Sequence, residues 1–286
     1  MSPAEVLDAA ALAVAVPPAA APPAAADEAD LERRFGGLRR LYGDAAYLRI
    51  RAARVAVVGV GGVGSWAAEA LARSGVAALT LVDLDHVAES NINRQVQATG
   101  STLGMAKVEA LRRRIADIHP GCVVHAVEEF VDEGNWPGLL VAPVDAVVDA
   151  CDQVRAKAAI AAWALAMRVP LVAVGAAGGK RAAERVEVGD LATVTHDPVL
   201  AALRQRLRKF HDAPRVGEIG VTCVYSREPV AAPTGDDPSC PVDGTLNCHG
   251  YGSSVGVTAT FGMVAATRAL EFVALAPHRR GLPAPL

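Results

Sequence analysis

The stretch RVAVVGVGGVG, residues 54–64, runs from a short apolar segment straight into a cluster of glycines. Arg54–Gly59 is rich in β-branched residues and reads as a buried strand. Gly59, Gly61 and Gly64 satisfy G-x-G-x-x-G, with Gly62 as an additional glycine. Beyond them Val63, Ala67, Ala70 and Leu71 share one helical face, and Gly75 can end that helix. A strand, a glycine turn and a helix in this order form a phosphate cradle. Glycines let the backbone turn tightly, and the helix N-terminus offers N–H groups and a positive dipole end. Asp83 closes a second strand, Leu79–Asp83, nineteen residues after Gly64. A carboxylate there can accept from ribose hydroxyls, which suits NAD and ATP equally.

Working outward, strand and helix patterns alternate. Gly104–Ile118 predicts a basic helix, Cys122–Val127 a strand, Val144–Asp149 a strand, Gln153–Arg168 a helix and Pro170–Gly175 a strand. This rhythm predicts an α/β fold with a doubly wound, mostly parallel, Rossmann-like sheet and right-handed crossovers. Leu31–Ile50 reads as short helices preceding it. After Gly179 the rhythm changes to strands at Glu184–Val188 and Gly220–Tyr225. Between them lies a basic helix, Asp197–Phe210, with Asp197 as N-cap and Pro198 at its first position. Glu228–Gly252 reads as a long loop. The expected organisation is an Ala/Pro-rich disordered leader at 1–30 and a nucleotide-binding core, with its N-terminal helices, at 31–179. The part at 180–286 is a smaller C-terminal α+β extension of the same domain.

Composition narrows the function classes. The 286 residues carry a net charge of −3, so no global positive field marks a nucleic-acid binder. Five cysteines without a Cys-x-x-Cys spacing argue against a disulfide framework and against a four-cysteine zinc knuckle. The leader has acids but no Lys or Arg, unlike a signal or transit peptide. A cytoplasmic protein is expected. Val255–Ala276 is apolar enough to raise a membrane question. Arg268 and Glu271 interrupt it, so a packed helix rather than a span is expected.

The residues after the second strand separate ATP from NAD. Ser90-Asn91-Ile92-Asn93-Arg94-Gln95 follows it, and Lys107 comes next in the basic helix. A dinucleotide fold has no general need for those cations, whereas a triphosphate does. Arg94 can fork onto phosphate oxygens and Lys107 can place a point charge on them. Both would stabilise charge that develops when a carboxylate attacks phosphorus. Asp152 follows the fourth strand at the ligand-binding edge and is a candidate Mg²⁺ ligand. Taken singly, the two cations read as surface charges and Asp152 as a helix cap. As a set on one edge they favour ATP.

The motifs V-x-G-x-G-G-V-G, D-L-D, S-N-x-N-R-Q, G-x-x-K and D-x-C-D, spread over Arg54–Val174, resemble the ThiF/MoeB superfamily of ATP-dependent activators related to ubiquitin-activating enzymes. The resemblance implies nucleotide contacts for Gly61 and Asp83 and ribose and phosphate contacts for Ser90–Arg94. It also implies a phosphate contact for Lys107 and a metal for Asp152. Arg34-Phe35-Gly36-Gly37, Arg40-Leu41-Tyr42-Gly43, the run from Gly61 to Arg73, Gly175–Gly179 and Thr258–Gly262 are similar to the TcdA/CsdL branch, the tRNA threonylcarbamoyladenosine dehydratases. That branch activates the threonyl carboxylate of a modified adenosine in tRNA, and the side chain then cyclises with loss of water. The resemblance also implies a homodimer, with the C-terminal helix and Gly175–Gly179 as interface elements. In it Arg34 or Arg40 would reach the partner's ATP site. A monovalent cation and a sulfur-transfer protein are left open as further partners.

Cys248, beside His249, is the remaining candidate for covalent chemistry. Its inert reading is the stronger, because an activated carboxylate can be attacked by the substrate's own urea group. Cys240 is a weaker candidate, and Cys122 and Cys151 read as packing residues. Arg204, Arg206, Arg208 and Lys209 form one basic stretch; Lys180, Arg181 and Arg185 form another. Either can be a solvated face or an RNA-phosphate contact, with Phe210 or Tyr251 as single stacking candidates. Three other functions fit parts of the pattern: an adenylyltransferase for a ubiquitin-like sulfur-carrier protein, an NAD(P)-dependent oxidoreductase, and a nucleotide-sensing scaffold. The absent zinc motif opposes the first, and Arg94 with Lys107 opposes the second.

Overall fold

The computed structural model describes residues 30–231 and 251–276. Three short helices, α1 (Leu31–Phe35), α2 (Gly37–Tyr42) and α3 (Asp44–Ala52), lead into β1 (Arg54–Val58). Next come α4 (Gly64–Arg73), β2 (Ala78–Val82), α5 (Lys107–Ile118), β3 (Val123–Val127) and β4 (Ala146–Asp149). The chain continues through α6 (Val154–Met167), β5 (Leu171–Val174), β6 (Val186–Asp190), α7 (Pro198–Phe210) and β7 (Thr222–Ser226) to α8 (Val255–Leu275).

The strands form one sheet in the order β3-β2-β1-β4-β5-β7-β6. All neighbours are parallel except β6 and β7. The expected doubly wound sheet is present, and the two C-terminal strands extend its edge. Period-two alternation assigns the two faces. Val55, Val57, Leu79, Leu81, Val148 and Val172 point into the core beneath α4, α5 and α8. Ala56, Val58, Val82, Val147 and Ala173 point into the core beneath α6 and α7. Strands buried on both faces read as continuous apolar runs, and so they do here.

Element ends differ from the sequence reading for local reasons. The basic helix begins at Lys107 rather than Gly104, because Ala106 pairs with His86 in a β-bridge and Lys107 N–H donates to Asp85 O at 2.9 Å. The strand expected from Glu184 starts at Val186, after a turn of 3₁₀ helix at Ala183–Arg185. Asp197 caps α7 as expected, accepting from Leu200 N–H at 3.0 Å, with Pro198 at the first position. The α8 helix has the length and apolar composition of a membrane span. It lies instead against α4, α3 and the sheet, with 56% of its most apolar stretch buried. Most of the long loop, with Cys240, Cys248 and His249, lies outside the described residues.

Where β1 and β4 adjoin, the strand order reverses, and their following loops part to open a cleft at the C-terminal edge of the sheet.

Candidate functional site

The glycine turn floors this cleft, and its glycines do different jobs. Gly59 has φ +77°, and a Cβ there would meet Cys151 N at 2.8 Å and Ala150 C at 2.9 Å. A Cβ on Gly64 would lie 1.8 Å from Gly59 O. These two glycines close the turn on itself and on the loop after β4. At Gly62 a Cβ would lie 3.3 Å from the Thr258 methyl on α8. Gly61 is the open one. A Cβ there would meet only Gln95 Nε2, at 3.8 Å, so its bare backbone faces the cleft.

Asp83 fastens the turn to β2. Its Oδ2 accepts from Val60 N–H at 2.8 Å and its Oδ1 from Asp85 N–H at 2.9 Å. Burial raises its carboxyl above the usual range, and nearby Lys107 opposes that shift. Lys107 is buried and forms an ion pair with Asp85 at 2.6 Å, with Asp83 3.9 Å away. Sequence reading placed Lys107 on phosphate but did not assign Asp85, which holds the ammonium against the cleft wall.

Arg94 is buried too. Its Nη1 donates to Asn93 Oδ1 at 2.9 Å and to Ser90 O, and its own carbonyl accepts from Trp66 Nε1 at 2.9 Å. Its Nε has no partner among the described residues. Ser90, Asn91 and Asn93 do not line the cleft. The Asn91 side chain caps its own turn, accepting from Ala88 N–H at 3.1 Å. Asn93 Nδ2 donates to Ser253 O at 2.9 Å. The three therefore position Arg94. Gln95 does line the cleft, and its Oε1 accepts from Gln97 Nε2 at 3.1 Å. That bond turns the Gln95 amide N–H₂ toward Gly61, a donor that the motif contained but sequence reading left without a role.

The other walls come from three strand ends. Glu129, Phe130 and Val131 follow β3, Asp152 follows β4, and Gly175–Ala177 follow β5. Gly175–Ala177, part of the Gly175–Gly179 turn expected at a subunit interface, also line the cleft. Asp197 Oδ2 accepts from Ala176 N–H at 2.9 Å. Of the four lining carboxylates, Lys107 faces Asp83 and Asp85, while Asp152 and Glu129 have no cation partner among the described residues. Four acids against Arg94 and Lys107 leave a formal −2, unfavourable for a polyphosphate without added positive charge. Mg²⁺ is held by one or two carboxylates plus substrate phosphates and keeps several waters. The donor set fits such an ion, and no group of three or more His, Cys, Asp or Glu side chains forms an all-protein metal cage among the described residues.

Several sequence candidates have other work. Arg34 donates to Ile118 O at 2.7 Å and to Asp117 O at 3.4 Å, satisfying carbonyls at the end of α5. Arg40 is exposed. Arg204 donates to Leu191 O and Val194 O, Arg208 to Pro214 O, and Arg206 pairs with Glu133. Lys180 is buried, donating to Ser226 O at 3.0 Å and Glu228 O at 2.9 Å. The first run is thus largely spent on the fold, with Lys209 exposed, whereas in the second only Lys180 is, and Arg181 and Arg185 are exposed. Burial raises the Cys151 thiol well above its ordinary value, and its Sγ–H donates to Asp149 Oδ1 at 2.9 Å. Burial likewise holds Cys122 at about 11.

Comparison with known proteins matches residues 36–282 to the ThiF family. The chain is 41% identical, over 87% of its length and 96% of the relative's, to the tRNA threonylcarbamoyladenosine dehydratase of Escherichia coli K12. Its fold matches E. coli structures of that dehydratase in complex with ATP and with AMP. The TM-scores are 0.76 and 0.77 at 40% and 41% identity, covering 86% of this chain and 96% of each of those.

Proposed function

The chain belongs to the ThiF family, and from that premise we propose that it is an ATP-dependent tRNA threonylcarbamoyladenosine dehydratase. The observation that carries this reading is the set lining the cleft with Gly61: two buried cations, a Gln95 amide and two carboxylates, Asp152 and Glu129, without a cation partner among the described residues, at the strand-order reversal. That set suits a triphosphate with a divalent cation better than the diphosphate of a nicotinamide cofactor.

The substrate's threonyl carboxylate attacks a phosphorus of ATP, and the bond from that phosphorus to the rest of the phosphate chain breaks, releasing ADP or pyrophosphate as the leaving group. One of its oxygens thereby becomes bonded to phosphorus and can leave. The urea group of the same modification then attacks the activated carbonyl carbon, and that oxygen departs with the phosphoryl group. The tRNA loses the elements of water overall. Gly61 and its neighbours let the backbone N–H groups approach the phosphates. Arg94, fixed by Ser90 and Asn93, and Lys107, fixed by Asp85, meet the negative charge that grows on the leaving group. Asp83 anchors the turn and lies where ribose hydroxyls can be accepted. Asp152 would hold Mg²⁺, which when bound neutralises the phosphates and makes phosphorus more electrophilic. Cyclisation is intramolecular, so no protein nucleophile is required, and Cys248 takes no covalent part.

The proposed assembly is a homodimer acting on tRNA in the cytoplasm. Arg40 is its candidate for reaching the partner's ATP site, since Arg34 is spent on α5. The test is incubation with ATP, Mg²⁺ and tRNA carrying threonylcarbamoyladenosine, followed by mass spectrometry of the nucleoside. Loss of one water is expected. An unchanged mass with folded protein refutes the dehydratase reading.

A further inference from the structure

Two charged groups lie fully buried beneath the cleft, and the chemistry described so far does not use them. Lys157 on α6 and Asp149 at the end of β4 are both 0% exposed, with Nζ 3.2 Å from Oδ2. The same ammonium donates to the Asp149 main-chain carbonyl at 3.1 Å. The other carboxylate oxygen accepts from the Cys151 N–H at 3.2 Å and from its thiol. One lysine thus grips the side chain and the backbone of the last residue of β4, and that side chain grips the amide two residues on.

The gripped segment is the turn that carries Asp152. It is pinned from its other side as well. Ala150 N–H donates to Val58 O at 2.8 Å, and Gly59 presses against Ala150 and Cys151 without room for a Cβ. Core stability does not account for the ion pair. Lys157 sits on a helix whose neighbours Ala156, Ala158, Ile160 and Ala161 pack in an apolar cluster. Well-packed apolar residues of similar volume generally stabilise such a position as well as a buried ion pair, or better. What an apolar pair would not supply is the hold on the Asp149 carbonyl and the Cys151 amide.

We infer that Lys157 and Asp149 are positioning residues, a buried clamp that sets the turn presenting Asp152 to a divalent cation on the ATP phosphates. The inference rests on the metal role proposed above for Asp152. Partners that orient metal-binding groups in this way typically contribute ten- to a hundredfold in metal affinity.

The test uses the full chain, a non-hydrolysable ATP analogue, and Mn²⁺ as a spin probe in place of Mg²⁺. Mn²⁺ affinity is read by electron paramagnetic resonance, and analogue affinity is read by calorimetry in EDTA. Lys157→Met is expected to weaken Mn²⁺ binding by about ten- to a hundredfold. Analogue affinity in EDTA should stay within about threefold, a split that general disruption of the cleft does not give. Because a lone Asp149 in the core can impair folding, Asp149→Asn/Lys157→Met removes both charges and must show the same split. Asp152→Asn serves as the reference. If it leaves Mn²⁺ binding at the wild-type level, the metal reading of Asp152 falls and the clamp with it. If Asp152→Asn loses Mn²⁺ while the folded double variant binds it normally, the clamp alone is overturned. Equal loss of Mn²⁺ and of analogue in EDTA also overturns it, leaving the pair a purely structural role.

Discussion

The two glycines at opposite ends of the turn's geometry should respond to the same substitution in opposite ways. Gly64→Ala puts a methyl 1.8 Å from Gly59 O and 2.9 Å from Gly59 C, with the Ala150 Cβ 3.3 Å away. Two of these neighbours are backbone, so relief requires opening the turn. Overpacking of this kind costs about 3 kcal/mol or more. For a chain of this size that lowers the melting temperature by roughly 6–12 °C. Gly61→Ala puts its methyl 3.8 Å from one flexible amide and otherwise into the cleft. Its effect on stability should stay within about 0.5 kcal/mol. Any nucleotide seated against that backbone must then retreat, at a cost of roughly 1–3 kcal/mol, or about a ten- to hundredfold loss in ATP affinity. Calorimetric titration with ATP and thermal melting of both variants give the comparison. A Gly61→Ala protein that binds ATP like wild type refutes the placement of phosphates over this turn. One that melts as early as Gly64→Ala refutes the division of labour between the two glycines.

Arg94→Ala and Lys107→Ala should each lower dehydration by roughly two to four orders of magnitude, the scale of losing a charge-stabilising donor; near-wild-type single-turnover rates in both would refute the phosphate assignment. His119 accepts from Arg51 at its Nε2, and burial, then Arg51 and Arg34, lower its pKa from 6.5 to about 4. The folded state therefore holds fewer protons than the unfolded one in that interval. Stability should be full above pH 6.5 and decline as pH falls toward 4, and denaturant titrations of His119→Phe should show a shallower decline. Cys248→Ser should retain turnover within a few-fold, and complete inactivation with intact folding would restore a covalent role.

How legible the molecule was in its sequence depends on the range of the interaction. The strand, turn and helix around Gly59–Gly64 are local patterns, and all appear. So does the Asp197 cap with Pro198, whose geometry is settled within four residues. What escaped were partnerships across the sheet. Asp85 reads as a surface acid until β2 and α5 bring it to Lys107. Lys157 reads as one more cation in an alanine-rich helix until it meets Asp149. The charges of the α7 run are legible in the sequence, but the carbonyls and the carboxylate that occupy Arg204, Arg206 and Arg208 are not. Asn91 and Asn93 belong to the site's motif, yet their hydrogen bonds go to the frame that holds Arg94.

The C-terminal helix bears on the nucleotide turn in a further way. Gly262 comes so close to the start of α4 that a Cβ would lie 2.4 Å from Val63 O, and Thr258 reaches Gly62 and the Arg94 carbonyl. Every motif residue assigned to ATP lies before residue 153, but the buttress behind them arrives a hundred residues later. A ribosome adding roughly 5–20 residues per second would expose the phosphate cradle for several seconds before its support emerged. The nascent chain should therefore gain ATP affinity late and abruptly. A fragment cut after β5 would hold the whole signature and still lack a working site.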